Sequence, residues 1–251
     1  MFIDTHCHLE KQFYTNIDEI INENKKAGIS TIVVSGCNKK EIEEVLEYAK
    51  KYNQVYLTIG FHPEVANTVK NEDLIWLKNI IVSNPKIVGI GEIGLDYHYE
   101  GFERAVQIEV FEKQLLLAEE LNLPVVIHSR DATKDTIDLL KKYSLKGDIH
   151  CFSGSLETAK IYISMGYVLG IGGVVTFKNS KLRDVISSIS LKNIVLETDS
   201  PYLAPEPYRG TLNSSKNIPL IAQEVAKSLG VDISDVEQIT SENAKKLFNL
   251  K

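Results

Sequence analysis

The sequence is poor in cysteine, in basic charge and in long apolar runs, and each shortage excludes a class of protein. Its three cysteines, Cys7, Cys37 and Cys151, are odd in number and show no CxxC spacing among 251 residues. That excludes a disulfide framework and reads as buried reduced thiols. No apolar stretch approaches the roughly 20 residues needed to span a bilayer. Met1 runs straight into a strand-like segment with no basic leader, so the expected location is cytoplasmic. With 28 Lys and Arg against 34 Asp and Glu, the net charge is −6. Broad electrostatic attraction for a polyanion is therefore absent, and a nucleic-acid substrate would have to be drawn by local cations or metal ions. Low-complexity segments and charge blocks are also missing. Pro205 and Pro207 mark a loop rather than a linker. The expectation is a single domain over 1–251 with no obligate protein partner.

What is present is an alternation. Short Val/Ile-rich runs recur: FIDTHCHL, TIVVSG, VYLTIGFHP, IVGIGEIGLDY, PVVIHSR, GDIHCFSG, YVLGIGGVVTF and NIVLETDSPYL. The second and fifth are nearly continuous in apolar residues, which suits parallel strands covered on both faces. Between them lie amphipathic stretches. In KKEIEEVLEYAKKY, Ile42, Val45, Leu46 and Ala49 fall at helical spacing, with Asn38 as N-cap and Glu41 three residues on. The longest stretch, Phe102 to Leu121, repeats the pattern through Val106, Val110, Phe111, Leu115 and Ala118. Eight alternations predict an α/β fold, a single (β/α)8 TIM-type barrel of parallel strands. Two extra C-terminal helices, about Leu220–Leu229 and Ser234–Phe248, follow Pro219.

In such barrels the active site forms at the C-terminal strand ends. His6 and His8 close the first run, His62 the third, Glu92 the fourth, His128 the fifth, His150 the sixth and Asp199 the eighth. On a strand, Asp4, His6 and His8 share one face while Ile3, Thr5 and Cys7 share the other. A lone HxH pair reads first as two satisfied core or surface histidines and only second as a metal site. Four imidazoles and two carboxylates at one mouth, His6, His8, His128, His150, Glu92 and Asp199, form a ligand set for divalent cations. Six groups exceed one closed tetrahedral site and suit two metals about 3.5–4 Å apart with a bridging carboxylate, for which Glu92 is the candidate. Gly89, Gly91 and Gly94 around it allow either a backbone or a metal to come close.

The segments FIDTHCHLE, GFHPE, GEIGLDYHY, PVVIHSRDA, HCFSGSLETA and ETDSPYLAPEPYRG, in that order, resemble the TatD family of metal-dependent deoxyribonucleases in the amidohydrolase superfamily. The likeness runs from Met1 almost to TSENAKKLF. It implies a barrel with a two-metal site, with His6 and His8 on one metal, His128 and His150 on the other, Glu92 between them, and Asp199 as a ligand beside the attacking water. The implied activity is hydrolysis of DNA. Two departures stand out. Relatives continue the last motif as RGKxN, whereas here Thr211 follows Arg209-Gly210 and the asparagine matches either Asn213 or Asn217. Glu64 occupies a place where relatives often carry histidine or another polar residue, and it is assigned no role.

The expected chemistry is a metal-activated water with Asp199 as general base and Glu92 as the other catalytic carboxylate. His62, Arg209 and Tyr202 are the substrate contacts: a hydrogen-bond donor, a fork onto phosphate and a stacking ring. The ions are Zn²⁺, Mn²⁺ or Mg²⁺, and the expected partner is DNA held at ends or as single strands. One alternative is hydrolysis of a small amide, lactone or aminoacyl ester, which the same site would serve. A more distant one is a non-catalytic metal-binding scaffold, which the open, solvent-facing ligand set disfavours.

Overall fold

A computed structural model describes residues 1–99, 101 and 103–250. The strands are β1 Phe2–Cys7, β2 Ile29–Gly36, β3 Val55–Ile59, β4 Ile87–Asp96, β5 Val125–Arg130, β6 Gly147–Ile149, β7 Val168–Ile171 and β8 Ile194–Leu196. They form one parallel sheet in sequential order from β1 to β8. Cys7 in β1 is bridged in parallel to Ser200, just past β8. This is the (β/α)8 barrel expected from the sequence. The helices are α1 Ile17–Lys26, α2 Lys39–Lys51, α3 Asn71–Ser83, α4 Arg104–Leu121, α5 Thr133–Leu140, α6 Leu156–Ser164, α7 Leu182–Ile186, α8 Ile218–Leu229 and α9 Ile233–Phe248. No helix among the described residues is long and apolar enough to cross a membrane. By contact density the chain divides into two compact units, Met1–Val34 with His150–Lys251, and Ser35–Ile149.

In the first unit, β1 is buried along its whole length. Ile3 packs with Val195 of β8 and Ala244 of α9. Asp4 and His6 alternate with it and are buried too. The two C-terminal helices exist as expected, although α8 begins at Ile218 and takes Pro219 into its first turn. A proline there sacrifices no helical hydrogen bond. The seventh run proves shorter than a full strand: after β7 the chain winds into a 3-10 turn, Gly173–Thr176. Another backbone closely approaches that turn, since a Cβ on Gly173 would lie 2.1 Å from the Leu203 carbonyl oxygen.

In the second unit, Asn38 caps α2 by accepting from the Glu41 N–H. The Glu41 carboxylate accepts from the Asn38 side-chain amide and takes the N–H of Cys37 at 3.0 Å. α4 runs from Arg104, and the expected start at Phe102 lies outside the described residues. Its buried face carries Val110, Phe111, Leu115 and Ala118 together with two glutamines, Gln107 and Gln114. All three cysteines are thiols outside any disulfide; Cys7 and Cys37 are buried, while Cys151 is only half-buried.

The glycines around Glu92 resolve in favour of backbone approach. A Cβ on Gly91 would sit 2.6 Å from Val126 Cβ and 2.9 Å from its carbonyl oxygen; one on Gly94 would sit 1.9 Å from the His128 carbonyl oxygen. Gly94 also has φ +149°, a conformation costly for any side chain. Gly94→Ala is therefore expected to destabilise the fold by about 3 kcal/mol or more, the range of severe overpacking and strain. Denaturant melts check this, and a loss under about 0.5 kcal/mol, as at an ordinary surface site, would refute it.

Candidate metal centre

Each unit gathers its own cluster of imidazole and carboxylate groups. In the first, His6 Nε2 and His8 Nε2 lie 3.2 Å apart. Asp199 Oδ1 lies 3.5 Å from the former and 3.6 Å from the latter. Ligands about 2.0–2.1 Å from a tetrahedral ion are separated from one another by about 3.3 Å, so this triangle fits a divalent cation. The His150 ring stacks at a tilt on His6, centroids 4.1 Å apart. His6, His150 and Asp199 each offer a donor atom within 4.8 Å of the others.

The local backbone explains why these groups converge. Asp199, in the left-handed region at φ 52°, donates its N–H to the His6 carbonyl at 3.0 Å. His8 returns its N–H to Ser200 O at 2.7 Å. Beneath them the fully buried Asp4 carboxylate accepts from Thr198 N–H at 3.0 Å and Thr198 Oγ1 at 2.6 Å, and from His6 N–H at 3.3 Å. Burial pushes the Asp4 carboxyl up to about 6 against the pull of these bonds. For Asp199, burial would likewise raise the pKa, but hydrogen bonds from His6 and His8 and the nearby His150 outweigh it. The carboxyl is held well below the usual range. Asn213 pins the same loop, donating to Thr198 O and Tyr202 O, both at 2.8 Å.

In the second unit, Glu92 Oε1 lies 2.7 Å from His128 Nδ1 and 3.5 Å from His62 Nε2. These three residues also offer donor atoms within 4.8 Å of one another. His128 Nε2 meets Asp96 Oδ2 at 2.9 Å. Burial opposes ionisation of Asp96, yet His128 and the His98 backbone N–H hold its carboxyl below the ordinary range. A histidine that offers one nitrogen to a metal commonly gives the other to such a carboxylate. His62 differs: its Nδ1 accepts the Glu64 backbone N–H at 3.3 Å. That bond leaves the proton on Nε2, the nitrogen turned to Glu92, so His62 is poised as a hydrogen-bond donor. The carboxylate and imidazole donors of the two clusters are the right chemistry for divalent ions.

The family described as TatD related DNase matches residues 3–249. The chain belongs to the TatD family. It is 39% identical over 255 residues to an uncharacterized metal-dependent hydrolase, YabD, of Bacillus subtilis, covering 100% of both chains. It is also 39% identical over 253 residues to one from Methanocaldococcus jannaschii, covering 98% of this chain and 96% of the other. Among solved structures, the TatD homologue YjjV of Escherichia coli superposes with a TM-score of 0.95 at 29% identity, over 100% of this chain and 98% of that one.

Within this TatD-family chain, every residue expected at the site falls in or beside one of the clusters, with Arg209 as the outlying member. His6, His8, His150 and Asp199 lie in the first cluster, and Glu92, His128 and His62 in the second. The resemblance pairs His150 with His128; in the structure its ring lies on His6. Tyr202 is 48% exposed and stands edge-on to His8, centroids 6.3 Å apart. Arg209 lies over Phe177. Sequence reasoning missed the buried supports. Asp96 is four residues from Glu92 on the same strand and so shares its face, a signal that was available. Glu197, fully buried, accepts the Cys151 N–H at 2.5 Å and lies 3.6 Å from His150 Nδ1. Gln107 and Gln114 carried no signal beyond being polar on an apolar helix face.

Metal binding to the folded state alone should appear as stability. Titrating Zn²⁺ or Mn²⁺ into chelator-treated protein is expected to add about 2.7 kcal/mol when free metal exceeds Kd 100-fold. His8→Ala should remove much of that gain. A parent melting temperature indifferent to metal would mean that these clusters are only hydrogen-bonded polar groups.

Proposed function

We propose that this chain, a metal-dependent hydrolase of the TatD family, is a deoxyribonuclease that cleaves phosphodiester bonds at ends or in single strands. The observation that carries the reading is the loop between β8 and α8. It holds the candidate ligand Asp199 near its start, carries the exposed ring of Tyr202 beside His8, and presents Arg209, whose guanidinium has no hydrogen bond or ion pair among the described residues. A free planar fork suits the paired oxygens of a phosphate, and a ring suits a base of any sequence.

Divalent ions held by His6, His8 and Asp199 and by Glu92 and His128 would supply Lewis acidity that polarises the phosphoryl group and acidifies a water. The chain's own groups supply the rest. Asp199, ionised at neutral pH, accepts the proton of the attacking water, a role typically worth about 100- to 10,000-fold in rate. His62 donates from Nε2 to a phosphoryl oxygen, and Arg209 orients the phosphate from the loop. Tyr202 holds a terminal base. The −6 charge leaves no basic stripe for long duplex, so few phosphates are contacted. A small neutral amide, lactone or aminoacyl ester would use the same carboxylates but would leave the free guanidinium without a purpose.

The test is incubation of end-labelled single- and double-stranded DNA with the protein and Mg²⁺, Mn²⁺ or Zn²⁺, with a chelator control and the Glu92→Gln and Asp199→Asn variants. Metal-dependent release from single strands is expected, with at least a 100-fold loss in each variant. No release by the metal-loaded parent, alongside turnover of an ester panel, would favour the small-substrate reading; parent-like activity of Asp199→Asn would remove it as the base. Binding should also weaken only shallowly with salt, and a steep slope would point to a long duplex footprint.

A further inference from the structure

An arginine with unspent donors contributes little unless its long, flexible stem is aimed. The 3-10 turn Gly173–Thr176 and the residue after it lie against the Arg209 loop at three points. Gly173 lies so near Leu203 that a Cβ would come within 2.1 Å of its carbonyl oxygen. Thr176 Oγ1 accepts the N–H of Glu206 at 2.9 Å. The Arg209 guanidinium lies 4.3 Å over the centroid of the half-buried Phe177 ring. The turn is itself braced from behind: Arg183 donates to Val175 O at 2.8 Å, Phe177 O at 2.9 Å and Lys178 O at 3.0 Å, and faces Glu224 at 3.7 Å. Arg183 is thereby committed to the backbone of the turn.

We propose that Phe177 is a positioning residue that aims Arg209 at a substrate phosphate, an inference that rests on the phosphodiester reading above. The ring covers one face of the guanidinium through a cation–π contact and leaves its N–H edges open. Those edges are where a phosphate binds, so the stack and the phosphate do not compete. The backbone anchors at Gly173 and Thr176 keep the ring and the loop in register.

The experiment measures, by fluorescence anisotropy, the Kd of the metal-loaded protein for a fluorescein-labelled phosphorothioate oligothymidylate, which keeps the backbone charge while resisting cleavage. Arg209→Ala is expected to weaken binding about tenfold, as loss of a charged hydrogen-bonding group does. Phe177→Leu and Phe177→Met are each expected to weaken it about two- to fivefold, the value of an exposed cation–π contact. Phe177→Tyr should bind like the parent. In the Arg209→Ala background the Phe177 substitutions should cost nothing further, an outcome that a merely structural role would not produce. Parent-like binding by both Phe177→Leu and Phe177→Met, an equal loss in the Arg209→Ala background, or parent-like binding by Arg209→Ala would overturn the proposal. Cleavage of the unmodified oligonucleotide by the parent is scored separately. The expected pattern of Kd values without cleavage would sink the nuclease reading and leave the positioning role intact, whereas cleavage without that pattern would do the reverse.

Discussion

Where a parallel strand ends, its backbone N–H and C=O groups lose their ladder partners, and buried groups of that kind must find others. The candidate site lies at such ends, and its geometry depends on which side chains take over. Asp4 takes the Thr198 N–H, Asn213 takes the carbonyls of Thr198 and Tyr202, and Glu197 takes the Cys151 N–H. In the other unit, Gln114 accepts the Phe61 N–H at 2.7 Å and donates to its carbonyl at 3.0 Å. Gln107 does the same for Asp96, at 2.9 and 2.8 Å. Each of these bonds fixes a residue that is, or adjoins, a metal-site group: Asp199, His150, His62 and Asp96. The ligands themselves are thus free to present their polar atoms to one another.

The charges follow the same logic. A carboxylate buried without a counter-charge is costly, and imidazoles facing it lower that cost whether they carry a proton or share a cation. His128 spans Glu92 and Asp96, and His6 and His8 converge on Asp199. Imidazole and carboxylate groups thus already face one another in each cluster, held by the contacts between them.

Much of this was legible in the sequence because it is periodic or chemically conspicuous. Alternating apolar runs predicted the strands, the cap at Asn38 predicted the start of α2, and the placement of His6, His8, Glu92, His128, His150 and Asp199 at run ends marked the clusters. Asp4 was placed on the face of His6 and His8, and its grip on Thr198 makes it a support beneath them. The illegible parts depend on contacts distant in the chain. YVLGIGGVVTF looks like one strand, and only the structure shows that it turns where Leu203 comes close to Gly173. RGTLNSSKN left the asparagine match open; burial and bonding make Asn213 the residue that grips the Asp199 loop, while Asn217 donates to Asn213 from behind at 2.9 Å. Nothing local in the sequence announces that three carbonyls await Arg183.

Gln107 and Gln114 stand seven residues apart, two turns of one helix, and so share a face of α4. Each holds the backbone of a different strand end, one beside His62 and one within β4. This makes α4 a ruler as well as a cover. Sliding the helix by one turn would release both strand ends together, and inserting a single residue between the two glutamines would turn one away from its strand end while the other stayed in place. Changes before Arg104 would leave the spacing untouched. Variation in length should accordingly be tolerated ahead of this helix and forbidden within its middle two turns, a constraint set by two amides on residues that touch no substrate.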